Sequence, residues 1–595
     1  MKSSKILSKI PSWDLTDFYS STEDKKIAAD LKKIAAETKK FVAEFGGKVF
    51  ELDASQLFNS IERYEEISER IGKISSYAQL LYASDLSNQT NISFHQNVRE
   101  SLSQFESQLI FFTLELNQID DKKLANFLKN PDLKKFQPFL RDIRAFKKHE
   151  LTQDLEKFSL EKNITGRAAF VRLFDETVNN LKFALDKQPG KQILNSQEIF
   201  NLLSSPDEKV RKNAAKAIGK TLEENSKTFA FITNILAKDK AIDDEWRGFA
   251  SPISARNLSN FIEDEIVEVM IKKVKENYAA ISHRYYGIKA KILGKKSLNY
   301  WDRNAPLSAK NEKPIAWQEA KNLVLSAYRE FSPKMGEIGE MFFDKNWIDA
   351  EVKTGKDSGA FSHPTVPSVH PYILMNYQGK IRDVMTLAHE LGHGVHQYLA
   401  RAQGYFMSST PLTLAETASV FGEQLTFQKI LKNEKDAERK KLITAAKVED
   451  MINTVIRQIA FLEFEKKIHQ ERKNGEIPLE KICQFWMEVQ KESLGPVFKF
   501  EEEYRFFWSY IPHFIHSPFY VYAYSFGDCL VNSLYGIYES KKVKNFEEKY
   551  LSMLEGGGTK HHKEMLKPFG LSVSDPEFWQ AGLDVIINYI NQLES

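Results

Sequence analysis

Two histidines four residues apart enclose a glutamate in Thr386-Leu387-Ala388-His389-Glu390-Leu391-Gly392-His393, an H-E-x-x-H pattern. On a helix, positions four apart differ by about 40° around the axis and about 6 Å along it, so His389 and His393 can turn both imidazoles toward one zinc ion. Glu390 projects to the flank, where a carboxylate can take a proton from a water that the metal polarises without itself being a ligand. The surrounding run is helical: Val384, Met385, Leu387, Ala388, Leu391, Val395 and Leu399 keep an apolar helical rhythm. With 13 histidines in 595 residues, chance predicts only about 0.02 such motifs. The helix is apolar on most faces, and burying His, Glu and His together is costly unless something satisfies them, which a metal does. Gly392 and Gly394 each weaken a helix by roughly 1 kcal/mol relative to Ala, so they predict either close backbone approach or tight helix packing.

A catalytic zinc usually takes three protein ligands and keeps one open position. His396 shares the face of His389, but seven residues of helix put it about 10 Å away along the axis, too far for the same ion. Two carboxylates remain. Glu416 lies in Ser409-Thr410-Pro411-Leu412-Thr413-Leu414-Ala415-Glu416-Thr417-Ala418-Ser419, where a capping residue and a proline open a new helix after Gly404. Glu423, seven residues on and on the same face, competes with it. Nearer the C-terminus, Ile511-Pro512-His513-Phe514-Ile515-His516-Ser517-Pro518-Phe519-Tyr520-Val521-Tyr522-Ala523-Tyr524 concentrates imidazoles and phenols. A strand there would put Tyr520, Tyr522 and Tyr524 on one face, whereas a helix would group only Tyr520 with Tyr524. These side chains are either a core cluster or hydrogen-bond donors to an oxyanion.

The elements that must carry these groups are mainly α. No proline occurs between Pro11 and Pro131, and Leu57, Ile61, Tyr64, Ile67, Ile71 and Ile74 recur at helical spacing. Turn chemistry at Asp186-Lys187-Gln188-Pro189-Gly190-Lys191, after an apolar run and before a new helical pattern, divides a helical N-terminal lobe, 1–190, from a region, 191–595, that contains the H-E-x-x-H helix. Helical patterns resume at Ser205-Pro206-Asp207-Glu208 and again near Ser259-Asn260. Residues 355–379, rich in Gly and Pro, read as a loop feeding a strand at Tyr372-Ile373-Leu374-Met375, a small sheet just before the motif.

Composition excludes several partners. Lys and Arg number 83 against 81 Asp and Glu, a net charge of +2, which provides no sustained field for a nucleic acid backbone. Two cysteines, Cys483 and Cys529, are too few for a disulfide framework and fit a reducing compartment. The segment MKSSKILSKIPSWDL lacks the continuous apolar stretch of a signal peptide, and runs such as Leu109-Ile110-Phe111-Phe112 fall far short of the ~20 residues that span a bilayer. A soluble, cytoplasmic protein is expected.

His389-Glu390-Leu391-Gly392-His393-Gly394-Val395-His396, followed by Leu414-Ala415-Glu416-Thr417-Ala418-Ser419, resembles the zinc site of the thimet oligopeptidase and oligoendopeptidase F metallopeptidases. The likeness to oligoendopeptidase F is the closer. It includes Trp13-Asp14-Leu15-Thr16-Asp17-Phe18-Tyr19, Gly355 to Tyr377 and the aromatic segment 511–524, and so runs over most of the chain. The resemblance implies one zinc ion held by His389, His393 and Glu416, with Glu390 as general base. It also implies that His513, Tyr520 and Tyr524 stabilise the oxyanion, and that two helical lobes enclose a deep channel with a small β-sheet beside the zinc helix. The substrates would be short unfolded oligopeptides cut at internal bonds. A helical carboxypeptidase is the alternative enzyme, but it needs a cationic side chain to grip a substrate C-terminus, which the sequence does not locate. A non-catalytic peptide-binding protein is the other alternative, and the intact Glu390 argues against it.

Overall fold

Apolar residues at every third or fourth position, set among Lys, Glu and Gln, wind most of the chain into helices. The computed structural model describes residues 10–186, 191–307 and 314–595. The helix Ala54–Ser84 is representative: it buries Leu57, Ile61, Ile67, Ile71 and Ile74. Its first turn is closed by the Asp53 carboxylate, which accepts from the Ser55 and Gln56 N–H groups. The longest helix, Glu208–Trp246, starts where expected, after an Asp207 cap. Near Ser259 the outcome differs. A short helix, Ser254–Ser259, ends there, Phe261 turns into the left-handed region at φ 51°, and the next helix begins only at Asp264. Asn260 follows the end of this short helix, and its amide donates to the buried Tyr522 hydroxyl at 2.8 Å.

The chain forms two compact units, each built from separated segments. The first comprises Met1–Lys147, Asn311–Asn433 and Tyr538–Leu571, and the second Lys148–Lys310, Glu434–Ile537 and Ser572–Ser595. Six segments alternate, so the backbone passes from one unit to the other five times. Around the expected division at 190, Phe183–Asp186 pairs antiparallel with Lys191–Leu194, so the second segment is a strand where a helix was expected. The turn between them lies outside the described residues, and both strands belong to the second unit.

The expected sheet lies in the first unit, with Tyr372–Leu374 as its central strand. It pairs parallel with Ile348–Asp349 and antiparallel with the edge strand Phe361–His363. All three central residues are buried, which agrees with a continuous apolar run. Among the described residues no helix is long and apolar enough to cross a membrane, and both cysteines are buried free thiols.

Candidate active site

The H-E-x-x-H residues lie on Ile381–Ala400, hereafter the motif helix. Asp383 closes its first turn by accepting from the Lys380 and Gln378 N–H groups at 2.9 and 2.8 Å. Val384, Leu387, Ala388, Leu391 and Val395 are buried along it. The two glycines meet different neighbours, one a backbone and the other a ring. A Cβ at Gly392 would stand 2.4 Å from the Ala418 carbonyl oxygen and 2.7 Å from the Ser419 Cα, and one at Gly394 would stand 2.6 Å from the Phe342 ring. The missing side chain at 392 lets the helix Thr417–Asn433, hereafter the returning helix, rest backbone to backbone on the motif helix. Gly392→Ala is therefore expected to push the returning helix outward and destabilise the protein by about 1–3 kcal/mol. It should also weaken metal affinity by roughly 10–100-fold, the usual effect of disturbing the support of a ligand, through misplacement of Glu416. Thermal melting with metal titration measures both effects, and unchanged affinity would show that the contact does not set the site.

Glu416 sits at the break between Leu412–Ala415 and the returning helix. Its Oε2 lies 3.4 Å from His389 Nε2 and 3.5 Å from His393 Nε2, and it accepts from the Ser419 hydroxyl at 2.7 Å. The helix start beside it is tied down from elsewhere in the unit. Tyr550 donates its hydroxyl to the Thr417 carbonyl at 2.8 Å, and Tyr538 packs on Phe331 and Phe421 with ring centroids 5.2 and 5.9 Å apart. Tyr328 similarly donates to the Ala388 carbonyl, just before the first histidine.

The other candidates go elsewhere. His396 is buried and faces the Thr410 hydroxyl at 3.2 Å. Glu423 does not join the donor cluster; its Oε1 meets His389 Nδ1 at 2.6 Å. A carboxylate there fixes the ring and leaves Nε2 directed at Glu416, and such partners typically contribute 10–100-fold to metal affinity. Glu423→Ala should accordingly weaken zinc binding by roughly 10–100-fold in an equilibrium titration. An unaltered constant would show that His389 is oriented by packing alone.

His389, His393 and Glu416 offer three ligand atoms all within 4.8 Å of one another. Donors about 2.0–2.1 Å from one tetrahedral ion stand about 3.3–3.5 Å apart, close to the separations of Glu416 from both imidazoles. Two imidazole nitrogens and one carboxylate form a donor set of the catalytic zinc type, so the residues fit the group the motif implies. Burial opposes a charge on His389, but the Glu423 hydrogen bond and the charges of Glu423, Glu416 and Glu390 carry its pKa up to about 10. At His393 burial prevails over the Glu416 charge and brings the value down to about 4. Burial also opposes ionisation of Glu416, yet the two histidines and Ser419 hold it below the usual range. Three carboxylates around two imidazoles, largely out of water, create a field that favours a cation.

Glu390 is 6% exposed and stands outside the donor cluster. Burial, with the charges of Glu416 and Glu423, pushes its pKa up to about 7 against the opposing pull of His389 and the Ser362 N–H. Ser362 belongs to the edge strand, whose carbonyl accepts from Gln397 on the motif helix at 3.1 Å, so sheet and helix hold this carboxyl together.

His513, Tyr520 and Tyr524 lie in the second unit, where they form a ring cluster of their own. Centroids are 6.2 Å apart for His513 and Tyr520, 6.1 Å for His513 and Tyr524, and 5.3 Å for the two tyrosines. The segment is helical rather than extended, with a helix Tyr522–Glu539, so Tyr520 and Tyr524 fall together and Tyr522 turns into the core toward Asn260. Phe519, at φ 59°, makes the sharp turn before Tyr520, and its N–H donates to the buried Glu465 carboxylate at 2.8 Å. Arg256 Nε donates to the Pro518 carbonyl at 3.3 Å and its guanidinium lies 5.9 Å from the Tyr520 ring centre. Burial, with the charges of His516 and Arg457, lowers the His513 pKa and favours the neutral ring.

Several of these groups escape a reading of the sequence. Ser419 carries a signal, since it lies three residues after Glu416 at the start of the returning helix. Ser362, Tyr328, Tyr550, Glu465 and Arg256 carry none, because their contacts join segments far apart in the chain.

The sequence model of peptidase family M3 matches residues 201–585, and that of oligopeptidase F matches residues 115–183. The chain belongs to peptidase family M3. Curated relatives include an oligoendopeptidase F homolog of Borreliella burgdorferi, 29% identical and aligned over 88% of each chain. Oligopeptidase PepF of Bacillus subtilis is 26% identical over 92% of this chain and 82% of its own. Among solved structures, one from Chlamydophila abortus superposes with a TM-score of 0.86 at 25% identity, covering 98% of this chain and 97% of that one. Oligoendopeptidase-F from Enterococcus faecium superposes with a TM-score of 0.73 at 21% identity, covering 96% and 98%. The protein is thus a mainly helical peptidase of this family.

Proposed function

We propose that the chain is a cytoplasmic zinc endopeptidase that hydrolyses internal bonds of short, unfolded oligopeptides. The observation that carries this reading is the Glu416 carboxylate set 3.4 and 3.5 Å from the two motif imidazoles, with Glu390 beside them but outside the donor set. Zinc held by His389, His393 and Glu416 supplies Lewis acidity toward a peptide carbonyl and lowers the pKa of a water. Glu390 takes the proton of the attacking water on its carboxylate and passes it to the nitrogen of the departing amine. Burial raises this carboxyl above the ordinary carboxylate range, which favours proton acceptance near neutral pH. His513, Tyr520 and Tyr524 hydrogen-bond the carbonyl oxygen as it becomes an oxyanion, a role in keeping with the neutral imidazole and two phenols gathered there. The oligopeptide substrate class is supported by the names of the relatives. The enclosed channel expected from the family resemblance belongs to the same proposal.

A ten-residue peptide blocked at both ends should be cut internally, the activity should vanish on chelation, and zinc should restore it. A stably folded, loop-rich protein at the same enzyme concentration should survive. Failure to cut the blocked peptide would exclude an endopeptidase, and rapid digestion of the folded protein would exclude the enclosed channel.

A further inference from the structure

Between His513 and Tyr524 the chain turns sharply, and side chains of the same unit hold the turn. After the short helix His513–His516, Phe519 takes the left-handed φ of 59° with its ring fully buried. A bulky residue keeps that conformation only where its surroundings enforce it. The peptide unit between Pro518 and Phe519 is gripped at both ends: Arg256 Nε donates to the Pro518 carbonyl at 3.3 Å, and the Phe519 N–H donates to Glu465 Oε1 at 2.8 Å. His469, one turn after Glu465 on the helix Ile456–Glu471, packs on the Phe519 ring with centroids 4.7 Å apart. One helix therefore holds both the N–H and the ring of this residue. The turn leads directly into the helix that carries the tyrosines, since the Tyr520 N–H donates to the Ser517 carbonyl and the Ala523 N–H to the Tyr520 carbonyl, each at 3.1 Å. The angle of this turn thus sets where Tyr520 and Tyr524 stand.

Glu465 is an expensive choice for a core position. It is 2% exposed, and among the described residues its Oε2 has no hydrogen-bond partner. Burial pushes its pKa up to about 8 against the pull of the Phe519 N–H and the Arg256 charge. Packing alone would be served better by an apolar side chain of the same size. What the carboxyl supplies, and an apolar group cannot, is an acceptor for the Phe519 N–H.

We propose that Glu465, with Arg256 at the other end of the same peptide unit, is a positioning residue that sets Tyr520 and Tyr524 against His513. Its effect on turnover rests on the oxyanion role proposed above, whereas its effect on the geometry of the cluster does not.

Crystal structures of Glu465→Ala, Glu465→Gln and Arg256→Ala, with kinetics on the blocked ten-residue peptide, test the idea. Glu465→Ala should release Phe519 from the left-handed region and separate the two tyrosine rings. It should lower kcat by about 10²-fold with little change in KM, the usual cost of a misplacement of about 1 Å. Glu465→Gln, whose amide oxygen can still accept the N–H, should keep the turn and most of the turnover. Arg256→Ala should shift the turn in the same sense and carries the test if Glu465→Ala does not fold. Added to the Tyr520→Phe, Tyr524→Phe double variant, Glu465→Ala should lower kcat little further, because residues that act through one another are not additive. An unmoved turn would overturn the proposal, as would an equal loss in Glu465→Gln or a full multiplicative loss in the combined variant. A displaced turn with unchanged kcat would uphold the positioning and refute the oxyanion role, so the two fail separately.

Discussion

Glu390→Gln is expected to retain zinc and fold while lowering kcat by about 10²–10⁴, the usual contribution of a positioned general base. Gln has the shape of Glu, and its amide oxygen can still accept the Ser362 N–H that the carboxylate receives. It cannot take a proton from water at neutral pH. The donor cluster of His389, His393 and Glu416 does not include this side chain, so metal content should not change. Metal analysis, thermal melting and turnover of the blocked peptide separate the possibilities. Loss of zinc would make Glu390 part of the metal site, and near-wild-type turnover would remove it from the chemistry.

At least one of Tyr520→Phe and Tyr524→Phe should lower kcat by about 10²–10³ with little change in KM, because the charge they meet exists only in the transition state. Their rings lie 5.3 Å apart beside His513, while Tyr522, whose hydroxyl accepts from the buried Asn260 amide, is a core residue. Tyr522→Phe is the matched control: it should reduce melting temperature, since it removes the hydroxyl that accepts from the Asn260 amide, and preserve the turnover of the folded fraction. If Tyr520→Phe and Tyr524→Phe behave as Tyr522→Phe does, oxyanion stabilisation passes to His513.

What the sequence made legible depended on the distance over which each signal acts. Helical periodicity is local, so the helix over Leu57 to Ile74 and the motif helix could be read directly. Pro518 and the alternating tyrosines left helix and strand equally open, because the deciding contacts, Glu465 with Phe519 and Asn260 with Tyr522, come from other parts of the chain. For the same reason Glu416 and Glu423 were indistinguishable by spacing. Two carboxylates seven residues apart share a helix face, yet one meets both imidazoles and the other a single Nδ1. Lys191–Leu194 was misread because four residues are too few to establish a period, and its partner strand supplies what propensity does not.

The alternation of the backbone between two units has a consequence for the newborn protein. The unit that holds His389, His393 and Glu416 includes Tyr538–Leu571, which the ribosome delivers only after the intervening segment Glu434–Ile537 of the other unit. That late stretch supplies Tyr550, which secures the Thr417 carbonyl beside Glu416, and Tyr538, which packs under the same helix. A nascent chain cannot complete this unit until Tyr538–Leu571 has emerged, well after the three donor residues themselves. A chain terminated before Tyr538 would therefore carry the three donor residues in an incomplete unit.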